Sequence, residues 1–152
     1  MIKKASYVTI FGVIITVMGV ITLQHRLPVG PVVFGLTVVP FAGLLIARRS
    51  LKRSIPDLIF GALDTGLLTI PALWGGAFFG VMGAIAGSVI GDALTDGIAG
   101  FIEGGIAEWL RKKGIEESRE PVTTALGKMA GCLLGSGFVL TGALIIGVHP
   151  RC

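Results

Sequence analysis

Charge is scarce in this chain: Asp, Glu, Lys and Arg supply 14% of its 152 residues, against 53% hydrophobic residues. A soluble domain carries about 25% charged residues, so the shortage excludes water as the main solvent and points to a lipid bilayer. Cysteine is nearly missing too. Cys132 inside an apolar run and Cys152 at the terminus make neither a disulfide framework nor a thiolate metal motif. No nucleophile elbow, zinc-binding His pair or phosphate-binding loop occurs, so the expectation is a protein that is not an enzyme. Alternating barrel strands are also lacking, which leaves helices as the only way across a membrane. The net charge of +4 does not indicate nucleic acid, because Lys and Arg sit in short clusters between apolar runs without interleaved aromatics.

What is present is hydrophobic length. Five apolar runs, approximately Ala5 to Leu23, Val29 to Ala47, Leu58 to Trp74, Ala77 to Gly100 and Ala125 to Gly147, suit a polytopic all-α membrane protein with about five transmembrane helices. Lys3-Lys4 before the first run reads as the start of a retained signal anchor. With a cytoplasmic N-terminus, Lys3, Lys4, Arg48, Arg49, Lys52, Arg53, Arg111, Lys112, Lys113 and Arg119 fall inside, and only Arg26 and Arg151 outside. Trp74 and Trp109 then mark span ends at headgroup level, and His25 and His149 lie near outer helix ends. Residues 111 to 121 form a charged connector. Pro28, Pro31 and Pro40 shape or kink the second span, and Pro71 bends the third.

Ten of the 24 glycines fall between Gly75 and Gly105. Gly83, Gly87 and Gly91, and again Gly127, Gly131 and Gly135, recur every fourth residue, a spacing that lets helices touch backbone to backbone. Packing within the chain is the plainer reading of these rows. A homodimer seam is the other.

Against this apolar background four acids stand out: Asp64 in the third span, Asp92 and Asp96 in the fourth, and Glu103 beyond them. A carboxylate near the bilayer centre costs roughly 2.5–3.5 kcal/mol, so such a group faces protein and is paired, protonated or metal-bound. At about 100° per residue, Asp92, Asp96 and Glu103 share one helix face. Counting about 1.5 Å per residue places Asp64, Asp92 and Lys128 in one layer, displaced from the midplane toward the inner side. The expected site is therefore a divalent metal site built from Asp64, Asp92 and Asp96, with Glu103 at its inner mouth. Thr65, Ser88 and Thr95 are auxiliary hydroxyl ligands, and Lys128 is the counter-charge that occupies the carboxylates when the ion leaves. Gly91 and Gly97 would allow local unwinding that turns carbonyls toward the ion. A Lys128 to Asp pair that only locks helix register, and a proton relay through the same carboxylates, are the competing readings.

Phe60-Gly61-Ala62-Leu63-Asp64, Gly91-Asp92 with Asp96, Gly100-Phe101-Ile102-Glu103, and Leu126-Gly127-Lys128 with Gly131 together resemble the transmembrane protein 65 family, over about Pro56 to Leu140. The family pattern has Asn at Asp92, Asn at Thr65, Ser at Thr95 and Tyr at Phe101. The resemblance divides the chain into residues 1–55, two N-terminal helices and a basic loop, and residues 56–152, a family-like core of three helices. Animal members are mitochondrial inner-membrane proteins linked to sodium-dependent calcium export, so the resemblance implies transport or antiport of Ca2+, with Na+ as coupling ion. A Mg2+ channel or transporter is the nearest alternative, and a membrane adaptor that regulates a partner transporter is the alternative of another class. Without an Arg- and Ser-rich presequence, a prokaryotic cytoplasmic membrane is the expected location.

Overall fold

The computed structural model describes residues 2–115 and 120–148, with the backbone alone at 2–5, 99–104, 106 and 107. Every regular element among them is helical: α1 (Ile2–Gln24), α2 (Val29–Leu36), α3 (Val38–Ile46), a 3-10 turn (Lys52–Ser54), α4 (Ile55–Lys112) and α5 (Pro121–Ile146). The sequence dictates the helix ends. Glu120 caps α5, its Oε2 accepting from the Thr123 amide at 3.0 Å and the Thr123 hydroxyl at 2.9 Å, and Pro121 follows at the first helical position. Gly147 closes α5 with φ 81°, a left-handed residue that favours glycine. In α4, Asp57 lies in the first turn and Arg111 and Lys112 in the last, each sign opposing the helix dipole.

Four helical stretches are long and apolar enough to cross a membrane: Ser6–Gln24, Val29–Ile46, Lys52–Ile98 and Pro121–Ile146. The third is 47 residues long and does not run straight. Gly80, at φ 65° and ψ −149°, occupies a region essentially closed to residues with a Cβ, and there the chain reverses. The hydropathy pattern leaves Gly75 and Gly76 between the third and fourth runs, but both remain helical; they lie in the approach to the turn, and Gly80 alone in α4 leaves helical geometry. The returning arm, 81–112, lies against the first, 55–79. Gly83 meets Gly75, Gly87 meets the Pro71 carbonyl, and Gly91 meets Leu68 and Pro71. Pro71 thus stays within a helix and serves as a contact surface. Gly80→Ala forces a Cβ into that reversal and is expected to cost about 1–3 kcal/mol, read as a drop of several degrees in the Tm of the detergent-purified protein.

The second apolar stretch is also interrupted. Pro40 has no N–H and its ring crowds the Leu36 carbonyl, so the hydrogen-bond ladder breaks at Thr37, between α2 and α3. Thr37 keeps α-region angles (φ −55°, ψ −28°), so the direction of the chain is preserved across the break.

Helix α5 is the central element, touching every other one. Its glycines at 127, 131 and 135 receive the first arm of α4: Gly127 meets Ser54 and Asp57, Gly131 meets Leu58 and Ala62, and Gly135 meets Ala62. That arm runs parallel to α5, and Gly61 answers from its side against Lys128 and Cys132. On its other side α5 takes α2 in the opposite sense, with Gly137 against Phe34 and Gly30 against Thr141. Both glycine rows singled out in the sequence are therefore consumed inside the chain, and neither is left as a seam for a second copy. Small residues let the helix backbones approach closely enough for van der Waals packing to hold them together. A cluster of Leu44, Val122 and Leu126, flanked by Phe11, Phe41, Ala47 and Met129, fills one end of the bundle. The Arg49 to Glu120 ion pair, 3.2 Å, closes that same end.

Candidate functional site

Asp64 sits on the first arm of the hairpin, one helical turn before Leu68. Thr95 sits on the second arm, one turn after Gly91. Since Leu68 and Gly91 are in contact, Asp64 and Thr95 are the next positions along the same antiparallel seam. Their burial agrees: Thr95 is 5% exposed, and Asp64 is half-buried with its Oδ1 sealed from solvent. No protein donor lies within hydrogen-bond distance of that oxygen. The Thr95 hydroxyl donates to the Asp92 carbonyl at 3.2 Å, a long bond that leaves its oxygen able to accept or ligate.

Asp92 and Asp96 follow a different direction. The row that faces the first arm is 83, 87, 91 and 95, and a residue one position later projects about 100° away from it. Both aspartates accordingly lie on an exposed face of the second arm, adjacent to the seam but outside it. Among the described residues no three His, Cys, Asp or Glu side chains gather as a metal-holding group. Among the described residues Asp64 borders the seam while Asp92 and Asp96 lie outside it, because positions 92 and 95 of one helix project in different directions. Glu103 belongs to α4, but its side chain lies outside the described residues, as does His149.

The auxiliary positions divide in the same manner. Thr65 and Ser88 are half-buried, and the Thr65 carbonyl accepts the Thr69 hydroxyl at 2.6 Å. The helix is regular through Gly91 and Gly97, so no unwound carbonyls are offered there, contrary to the expectation drawn from those glycines. Lys128 does not reach a carboxylate: its Nζ lies 4.5 Å from the centroid of the Phe60 ring, and it forms no ion pair among the described residues. A cation over an aromatic face is a stable arrangement for an ammonium short of water, and it explains why the counter-charge role expected of Lys128 is not seen in this geometry.

Two acids escaped the sequence reading. Asp57 is 2% exposed and packs under Gly127. Glu120 joins α3's trailing loop to α5 through Arg49. The signals were present: Ser54-Ile55-Pro56-Asp57 and Glu120-Pro121 both have the polar residue and proline of a helix start. At the far end of α4, Lys113 stacks on Trp109 at 4.3 Å and Lys112 pairs with Glu108 at 3.0 Å, contacts suited to a headgroup region.

The chain matches no family model, no curated protein and no solved structure.

Proposed function

We propose that the chain is a five-span membrane protein that carries a divalent cation across the bilayer, with Ca2+ the favoured substrate and Na+ the coupling ion. The observation that carries the reading is the sealed Oδ1 of Asp64 in the hairpin seam, beside the buried Thr95 and with no protein donor of its own. In a low-dielectric setting a carboxylate oxygen without a donor is tolerable with a metal ion or a proton on it. Counting the reversal at Gly80 as a crossing point turns four apolar stretches into five spans. The basic clusters then fall on the side of the N-terminus, as expected for a prokaryotic cytoplasmic membrane.

A homodimer completes the arrangement. Asp92 and Asp96 lie on an exposed face of a helix that runs through hydrocarbon, and a carboxylate facing lipid is costly. Apposing that face with its copy around a cation neutralises the like charges. Glu103, further along the same helix, stands at the inner mouth, and Thr65, Ser88 and Thr95 add hydroxyl oxygens. The same exposed acids favour one second reading, a non-transporting adaptor whose acidic face docks a basic transmembrane helix of another transporter.

Flux decides between them. Purified protein in liposomes loaded with a Ca2+-sensitive dye is expected to pass Ca2+ down an imposed gradient, faster when Na+ is placed on the opposite side, and Mg2+ is compared in parallel. A vesicle population that stays tight to both ions under every gradient would falsify the transport reading and leave the adaptor.

A further inference from the structure

The interruption at Thr37 has chemistry of its own, independent of the carboxylates. Five other threonines within the apolar spans return their hydroxyls to the helix: Thr16 to Gly12, Thr22 to Met18, Thr69 to Thr65, Thr141 to Gly137, and Thr95 to Asp92. Thr37 does not. It is 6% exposed, and its Oγ1 is sealed with no protein partner within hydrogen-bond distance. Two backbone oxygens beside it lose their usual α-helical donor. Pro40, itself fully buried, offers no N–H to the Leu36 carbonyl, and the Thr37 amide turns to the Phe34 carbonyl at 3.2 Å, three residues back, instead of to Val33.

We propose that this break is a binding station for a small monovalent cation, held by the Thr37 hydroxyl and the freed carbonyls of Leu36 and Val33. The ligand class follows from the donor set. All three oxygens are neutral, and the nearest intramembrane turns of α2 and α3 contain no acid, so a divalent ion would lack the charge compensation it needs. A monovalent ion is served by carbonyl and hydroxyl dipoles, as at the interrupted helices of secondary transporters. The station lies midway along Val29–Ile46, inside a stretch long enough to cross a membrane.

The test reads stability, and so does not depend on transport. The Tm of the full chain in detergent is measured against NaCl, LiCl, KCl and choline chloride at equal ionic strength. Binding to the folded state raises Tm with the logarithm of ligand concentration, so a saturable rise of a few degrees is expected with one small alkali cation and none with choline. Thr37→Ser keeps the hydroxyl and keeps the rise; Thr37→Val abolishes it. Pro40→Ala restores an N–H to the Leu36 carbonyl and reduces the rise, which supplies a second variant should Thr37→Val not fold. The proposal is overturned if no salt differs from choline, or if Thr37→Val retains the cation response. A Thr37→Val chain that is simply more stable in every salt, with no cation effect in the parent, identifies the hydroxyl as a packing defect or a water site. Any of these outcomes leaves the Asp64 reading where it stands.

Discussion

Asp64→Asn is expected to lower cation flux in liposomes by roughly 100-fold or more while the protein remains folded. Loss of a group one shell removed from a metal typically costs 10–100-fold, and a direct carboxylate ligand should cost at least that. Asn has almost the same shape, so the seam between the arms of α4 is preserved. The sealed Oδ1 has no protein donor to lose, and the Tm should therefore hold or rise. Asp92→Asn and Asp96→Asn should weaken Ca2+ dependence without abolishing flux singly, because each removes one charge from an exposed face and leaves the buried oxygen in place. Flux that is indifferent to all three substitutions would detach transport from these carboxylates.

Gly131→Leu is expected to prevent folding. A Cβ at Gly131 would stand 2.9 Å from both the Ala62 nitrogen and the Leu58 carbonyl carbon, atoms of a helix backbone that cannot rotate away. Overpacking a core with a methylene costs about 1–3 kcal/mol, and a four-carbon side chain against backbone should exceed that range. The measurement is the monodisperse yield by size-exclusion chromatography in detergent. Gly97→Ala and Gly142→Ala serve as matched controls: nothing lies within 4 Å of an added Cβ at either position, and replacing a helical glycine should gain a few tenths of a kcal/mol or more. Equal yields for Gly131→Leu and the controls would remove α5 from its place at the centre of the bundle.

Much of this architecture was legible in the residues, and the remainder was not, for identifiable reasons. Hydropathy located the apolar stretches, because a run long enough to cross a bilayer is a local property of the sequence and not of its neighbours. Rows of glycine at four-residue spacing announced close helix contacts, and those contacts are what the rows form. Which surface they would meet was not legible, since the same row serves an intramolecular or an intermolecular seam equally well. Gly75, Gly76 and Gly80 are indistinguishable as candidates for a reversal until a backbone angle singles out Gly80. For the site, helical periodicity puts Asp92 and Asp96 on one face, and residue counting puts Asp64 near their level. Rotation about the axis was the missing quantity. Whether 91 and 95 or 92 and 96 turn inward depends on where the bulk of Leu68 and Pro71 sits on the facing arm, and that is a property of two helices together. Charge arithmetic likewise does not register the Phe60 ring beside Lys128.

The seams on either side of the first arm of α4 have a mechanical corollary. Peptide groups there press on peptide groups, with few long side chains between them to rotate and take up slack. Such a joint resists gradual bending, so the hairpin and α5 are bound to travel together as one stiff block. On the proposed transport reading, opening a route to Asp64 from alternate sides of the bilayer falls to parts that can still give. These are the broken ladder between α2 and α3 and the ionic clasp of Arg49 on Glu120. The N-terminal helices, which lie outside the likeness to a known family, would thus supply the hinge on which the carboxylate-bearing half depends.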